Sequence, residues 1–549
     1  MEIVTLCLFL LLAVVVSGVL SRVLPAALPR PLVQIGLGAL IGTAAGIKVE
    51  LDPELFFLLL VPPLLFLDGW RIPKDELFRD AGAVLGLALG LVFLTVLGLG
   101  LFIHWLIPAM PLAVAFALAA VVSPTDPIAV GAVAQKVSIP NRMMHILEGE
   151  SLLNDASGLV CLRFAIAAAL SGVFSLPAAL GTFAWMALGG VAAGVGVTWL
   201  AINGKFLVAR HFGDDVGSNV LVSLLIPFGA YLAAEHVHAS GVLAAAAAGI
   251  AMTFVGTSTA VGAATRIRRR AVWDMLQFTL NGVIFVLLGE QLPSLFEGAA
   301  AALAGTGHDN RWWLLVYVAA IVAVLAALRY LWVWVSLKLT LFRARRQGND
   351  AAASPPRRVV AAMSVAGARG AITLAGALTL PLAMPDGTPF PARDLVILLA
   401  SGVILASLII AAVGLPLSLR NLRLPPEEGA AAERDRVRTL TAKAAIAEIE
   451  RAQHELCGDG DDADRYTDVA ARLMAQYRER IDSIGADQGH RDEQAQARVI
   501  ERKLHLAGVR AERRTLLDLA QRREVGLSLA DQLGRDLDLV EARLTRLEA

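Results

Sequence analysis

Apolar runs of roughly 17–28 residues recur from the N-terminus to about residue 418, each long enough to cross a bilayer core of about 30 Å as a helix. In hydrocarbon no water can satisfy backbone N–H and C=O groups. Such runs must therefore close their hydrogen bonds within themselves, as helices. Thirteen spans follow, at 3–20, 31–47, 52–70, 81–107, 111–135, 145–171, 176–203, 216–235, 239–257, 271–292, 312–340, 359–383 and 394–418. Only 17% of residues are charged, against about 25% in a soluble domain. That combination excludes an ordinary soluble enzyme, a secreted disulfide scaffold and a nucleic-acid binder. Cys7, Cys161 and Cys457 are too far apart in sequence for a CxxC metal site.

The formal net charge of zero conceals two different segments. Residues 421–549 carry 22 bases and 26 acids, and residues 1–420 carry the other 26 bases and 22 acids. The expected organisation is a polytopic membrane domain over 1–420 and a soluble helical tail over 421–549. Alternate loops between spans hold 19 basic residues, and the remaining loops only Lys48, Arg311 and Arg393. Positive charge stays on the cytoplasmic side, so the N-terminus is expected outside and the tail in the cytoplasm. The first span lacks the basic leader of a signal peptide, and Ser21-Arg22 follows it as a stop at a membrane face.

Ionisable residues inside spans are expensive and functional by default. Asp126 (span 5), Asp155 (span 6), Arg329 (span 11) and Arg369 (span 12) each fall about nine or ten residues from the cytoplasmic end of their span. At 1.5 Å per residue they lie roughly 13–15 Å deep, and Asn281 of span 10 falls at the same level. A shared polar centre follows; separate buried pairs that only tie helices together are the plainer alternative. Span 5 reads Ser123-Pro124-Thr125-Asp126-Pro127 at its middle, and span 12 reads Gly367-Ala368-Arg369-Gly370-Ala371-Ile372-Thr373. Prolines remove backbone donors and break a helix, and a break at this depth is tolerated only beside a polar cavity. If spans 1–6 and 8–13 are two inverted repeats, the two interruptions are each fifth in their repeat, the layout of many secondary transporters.

Span 6 carries Glu148-Gly149-Glu150-Ser151-Leu152-Leu153-Asn154-Asp155. Ser151 and Asp155 share a helix face at i,i+4, and Asn154 borders it. With Thr125 and Asp126 they make an all-oxygen site suited to a hard monovalent cation or a proton. Arg369 is the expected partner of Glu150.

Several of these segments, in this order, resemble the sodium/proton exchangers of the NhaP/NHE type, within the monovalent cation:proton antiporters. The resemblance covers about residues 1–420. It rests on Thr125-Asp126-Pro127, Gly149-Glu150-Ser151-Leu152-Leu153-Asn154-Asp155, Ser240-Gly241-Val242-Leu243-Ala244, Asn281-Gly282-Val283-Ile284-Phe285 and Gly367-Ala368-Arg369-Gly370-Ala371. Pro62-Pro63-Leu64-Leu65-Phe66-Leu67-Asp68 adds the third-helix motif. Ser364-Val365-Ala366 departs from the family, which often has a bulky aromatic there. The resemblance implies a homodimer in which a core bundle moves against a scaffold. Asp155 is then the main ion- and proton-binding carboxylate, with Asp126, Thr125, Ser151 and Asn154 around it and Na⁺ held by Asp155 and Asp126. Glu150 and Arg369 would form a structural pair, Asp68 would lie on the ion path, and Asn281 and Arg329 would give polar support to the core. No cofactor is implied beyond the transported Na⁺ and H⁺. With Asn154 beside Asp155, rather than a second acid, the comparison implies electroneutral exchange of Na⁺ or Li⁺ for H⁺, serving pH and sodium homeostasis.

K⁺/H⁺ exchange by the same machinery is the nearest alternative, and a sensor or channel with a signalling tail a distant one. No histidine lies near the midplane of a span, which speaks against an intramembrane hydrolase. Arg163 is expected either to tune the outward vestibule or to form a structural pair. Glu235, His236 and His238 form a solvated loop, or else a pH-sensing or metal-binding patch. Asp274 is expected beside the Arg266–Arg270 cluster, which touches lipid phosphates. In the tail, apolar residues at three- and four-residue spacing predict helices over about 434–457, 463–484, 490–524 and 528–548, with a solvated acidic linker at 458–462. They would have a regulatory or dimer-stabilising role. Arginine makes up 41 of the 48 bases, pointing to a GC-rich bacterial genome and hence the plasma membrane.

Overall fold

A computed structural model describes residues 2–24, 28–44, 53–72, 74, 82, 85–126, 141–172, 176–212, 215–256, 263–303, 310, 312–346, 357–419, 428–456, 463–485, 488–522, 524–525 and 527–545. Pro127, the rest of span 5 to residue 135, the loop bases Lys48, Lys136 and Arg311, and the 458–462 linker lie outside the described residues. The described chain is helical, with one isolated bridge between Ala383 and Pro389. It divides into two compact units, Met1–Leu422 and Arg423–Ala549.

In the first unit the helices are α1 (Glu2–Val23), α2 (Arg30–Ala44), α3 (Pro53–Arg71), a π-helical turn (Gly86–Leu91) running into α4 (Val92–Leu106), α5 (Leu112–Val122), α6 (Asn141–Ser171) and α7 (Leu176–Phe212). They continue as α8 (Val216–His236), α9 (Gly241–Gly256), α10 (Ala263–Leu303), α11 (Trp312–Arg346), α12 (Arg357–Val365), α13 (Ala371–Leu378) and α14 (Arg393–Leu419). Among the described residues seven helices are long and apolar enough to cross a membrane. Several overrun the apolar spans. α10 begins before Thr265 and carries Arg266–Arg270 within it, with Arg266, Arg268 and Arg270 exposed and Arg269 buried. Span 12, by contrast, is two short helices separated by residues 366–370.

Two groups of helices pack more closely within themselves than against each other. In one, α2 lies on α10, α9 lies between α3 and α7, and α8 touches α3, α9 and α10. In the other, α5 packs between α4 and α6, and α14 gathers α5, α11, α12 and α13. A thinner seam, chiefly α10 on α14 and α13 on α3, joins the groups. Without a hydrophobic drive between helices in lipid, close backbone approach through small residues does the work. A Cβ added at Gly249 of α9 would collide with the Phe66 carbonyl of α3, and one at Gly69 of α3 with the Ala246 carbonyl of α9. The carboxyl end of α3 is held further by stacking of Phe66 on Trp273 at 5.1 Å. Lys74 Nζ also donates to the carbonyls of Gly69 (2.7 Å) and Ile72 (2.5 Å), closing that helix end.

Side chains of neighbouring helices tie down the π-helical turn. Trp332 Nε1 donates to Gly86 O at 3.0 Å and Ser157 Oγ to Ala88 O at 2.9 Å.

The second unit holds α15 (Glu428–Leu456), α16 (Ala463–Gly485), α17 (Gln488–Gln521) and α18 (Leu527–Thr545), with α15 packed on α16 and α17 on α18. Arg513 pairs with Asp538 and with Glu541, the latter at 2.8 Å.

The α3–α9 contact yields a prediction. Gly249→Val should lower stability by about 1–3 kcal/mol, the usual cost of overpacking, read as a fall in the melting temperature of detergent-solubilised protein. An unchanged melting temperature would mean that the two backbones do not touch.

Candidate functional site

α5 ends at Val122 and residues 123–126 continue the chain outside any helix; α12 ends at Val365 and residues 366–370 do the same. The two interruptions cross, with the Asp126 N–H donating to the Ala368 carbonyl at 2.7 Å. Each stopped helix leaves carbonyls unpaired and presents the negative end of its dipole. Each receives a guanidinium. Arg369 Nε donates to Val122 O at the end of α5, at 3.0 Å, and Arg329 Nε to Met363 O in the last turn of α12, also at 3.0 Å. Arg369 is fixed further by Nη1 donating to Gly367 O and by its backbone N–H donating to Ser407 Oγ at 3.0 Å.

Glycine is required at both edges of this crossing. A Cβ at Gly370, the N-cap of α13, would occupy the space of the Asp126 carboxylate, and one at Gly367 would press on the Arg329 guanidinium. The Asp126 carboxylate therefore lies against the amino end of α13, where a helix dipole favours negative charge.

A small cavity opens at the crossing. Its polar lining is Asp68 from α3, Thr125 and Asp126 from the first break, Ser151 and Asp155 from α6, Asn281 from α10 and Thr373 from α13. Helices of both groups thus meet here, so the cavity sits on the seam. Sequence reasoning had singled out all of these except Thr373. The available signal for Thr373 was its place one helical turn beyond Arg369, in a segment already marked by its glycines.

Asn154 is not part of the lining. It is buried, and its Nδ2 donates to Thr125 Oγ1 at 2.8 Å, while the Thr125 hydroxyl lies 3.3 Å from Glu150 Oε1, to which it donates. Asn154 and Glu150 together orient Thr125 at the cavity wall.

The expected Glu150–Arg369 pair is replaced by a Glu150–Arg329 pair. Arg329 Nη1 lies 2.5 Å from Glu150 Oε1 and Nη2 lies 2.9 Å from Oε2, a two-pronged bond between side chains that are 2% and 0% exposed. The reason is rotation about α6. Glu150 precedes Asp155 by five residues, about 140° around a helix of 3.6 residues per turn. It therefore faces α11 when Asp155 faces the cavity.

Away from the cavity, Arg163 Nη2 lies 2.7 Å from Glu235 Oε1, which also accepts from the Gly241 N–H at 3.3 Å. Arg163 is thus a structural tie between α6 and the last turn of α8. Among the described residues no cluster of His, Cys, Asp and Glu could hold a metal ion, so His236 and His238 do not build one with Glu235. Asp274, one helical turn from Arg270 on α10, pairs with Arg71 of α3. Within the Arg266–Arg270 cluster, Arg269 lies over the Trp70 ring at 5.0 Å.

The family model for the transmembrane region of sodium/hydrogen exchangers matches residues 9–420. The chain is 40% identical over 551 aligned residues to the uncharacterized Na⁺/H⁺ exchanger YjcE of Escherichia coli, covering 99% of both. It is 37% identical to the sodium, potassium, lithium and rubidium/H⁺ antiporter of Bacillus subtilis, covering 97% of this chain and 77% of the relative. The fold is similar to that of the sodium proton antiporter MjNhaP1 from Methanocaldococcus jannaschii, with a TM-score of 0.58 at 20% identity, over 76% of this chain and 99% of the other. The chain therefore belongs to the sodium/hydrogen exchanger family of polytopic membrane transporters.

Proposed function

We propose that the cavity at the crossing of the two breaks carries Na⁺ or Li⁺ in one direction and H⁺ in the other. The observation that carries this reading is the meeting of Asp126 and Asp155 with neutral oxygens in one buried cavity on the seam between two helix groups. Two carboxylates held together, Asp155 buried and Asp126 half-buried, need neutralising charge. A proton or a hard cation supplies it at the same oxygens, so binding one displaces the other. Asp155 is the main ion- and proton-binding group. Asp126, Thr125 and Ser151 support it, Asn154 acts through Thr125, and Asp68 lies on the path to it.

Alternating access follows if the two groups shift along their thin seam and expose the cavity to each side in turn. The inverted-repeat arrangement is supported by helix pairing: α1–α2, α2–α10 and α1–α10 have their counterparts in α8–α9, α9–α3 and α8–α3, each obtained by advancing the span number by seven or returning it by seven. We take exchange as one-for-one and electroneutral, with the chain a homodimer in a bacterial plasma membrane, the N-terminus outside and the tail cytoplasmic. The tail, as a regulatory or dimer-stabilising element, accords with its compact four-helix unit. K⁺/H⁺ exchange is the second reading, favoured by the cation range in the name of the Bacillus subtilis relative.

Two predictions follow from this assignment. Asp155→Asn should abolish cation/proton exchange, measured as loss of pH-gradient dissipation on adding Na⁺, Li⁺ or K⁺ to everted vesicles. A variant as active as the unsubstituted protein would remove Asp155 from the ion site. Glu150→Ala strands the Arg329 charge in the core and should cost about 3–5 kcal/mol, read as low membrane yield and a lowered melting temperature. Normal yield and melting with lost exchange would instead put Glu150 among the transport groups.

A further inference from the structure

Buried polar oxygens without a partner point to ligands, because a native core rarely leaves such atoms unsatisfied. Thr373 Oγ1 and Asn281 Oδ1 are two such atoms among the described residues, in side chains of residues 1% and 9% exposed. Both residues line the cavity that holds Asp155 and Asp126. They reach it from opposite helix groups, Thr373 on α13 and Asn281 on α10.

The state of Thr373 has a local cause. Serine and threonine hydroxyls on these helices regularly turn back to a carbonyl three or four residues earlier. Ser401 donates to Ile397 O at 2.8 Å, Ser407 to Ile404 O at 2.9 Å and Thr379 to Gly376 O at 2.7 Å. Thr373 is the third residue of α13, and the residues three and four before it are Gly370 and Arg369 of the break. Its hydroxyl makes no such return bond. The interruption that brings Asp126 to the cavity thereby also leaves the Thr373 oxygen available to it.

We infer that Thr373 Oγ1 and Asn281 Oδ1 are neutral oxygen ligands of the transported cation, and that Thr373 helps set which monovalent cation is preferred. The inference rests on the antiport reading above and adds to its ligand set. The carboxylates provide the charge that both a proton and a cation answer. A proton needs one oxygen, whereas a metal cation needs several. Neutral oxygens therefore act on the cation side of the exchange, and their number and placement bear on discrimination among Li⁺, Na⁺ and K⁺.

The test uses full-length protein in everted vesicles, with exchange followed against Na⁺, Li⁺ and K⁺ concentration for the unsubstituted chain, Thr373→Val, Thr373→Ser and Asn281→Leu. Thr373→Val keeps the shape and removes the oxygen. It should raise the apparent KM for the preferred cation about tenfold, the equivalent of one lost polar contact, while the maximal rate at saturating cation is retained. The ratio of KM values among the three cations should change, and Thr373→Ser should restore both. Asn281→Leu should raise the KM in the same direction, giving an independent position should one variant fail to reach the membrane. Val and Leu variants with unchanged KM values and cation ratios would overturn the inference while leaving the antiport reading intact. An unsubstituted chain that moves none of the three cations against protons would remove the antiport reading, and this ligand set with it.

Discussion

The crossing of two interrupted helices governs this molecule, and charge compensation at the interruptions is what permits it. Stopping α5 and α12 inside the protein leaves carbonyls and two negative helix ends at membrane depth, where water is not available to solvate them. A backbone hydrogen bond from Asp126 to Ala368 ties the interruptions together but cannot satisfy them. Arg369 and Arg329 answer the ends of α5 and α12 respectively. One buried acid, Glu150, takes the remaining valence of Arg329. Asp126 meets the positive end of α13. Each charge at this depth thus has a stated reason to be there.

That accounting separates two kinds of buried charge. Glu150 and Arg329 form a closed unit with ordered, two-pronged geometry, and Arg369 spends its donors on backbone carbonyls. These groups hold the breaks. Asp155 and Asp126 instead face a shared cavity together with uncharged oxygens. A structural ion pair gains from having every donor and acceptor filled, since an unfilled one is costly in low dielectric. The cavity group is built the other way, with its oxygens turned toward a common space. The division between the paired and the cavity-facing carboxylate follows the α6 helix itself, whose Glu150 and Asp155 point about 140° apart.

Much of this was legible in the residues. Apolar run length marks the helices, and Pro124 and the glycines at 367 and 370 mark the interruptions, because those residue types cannot continue a buried helix without loss. Depth along each span brought Asp126, Asp155 and Asn281 to one level, and the cavity holds all three. What depth could not supply is direction. Arg329 and Arg369 lie at the same level, so level alone could not choose the partner of Glu150; the azimuth around α6 and the position of α11 decide it. The partner of Asp274 was hidden for a similar reason. Its nearest bases in sequence lie on its own helix, yet Arg71 arrives from α3 across a helix contact that only packing specifies.

Thr373 shows the same limit from another side. A threonine in an apolar helix reads as ordinary, because its hydroxyl can return to its own backbone. It ceases to be ordinary only when the turn before it is missing, and that depends on where the helix restarts. With α13 beginning at Ala371, the hydroxyl makes no bond to the backbone behind it and lines a cavity that holds two carboxylates. The break therefore does more than expose backbone. It changes the hydrogen-bonding prospects of every polar side chain in the first turn that follows, which is how a seven-residue segment with one charged group comes to furnish both the frame of the cavity and part of its lining.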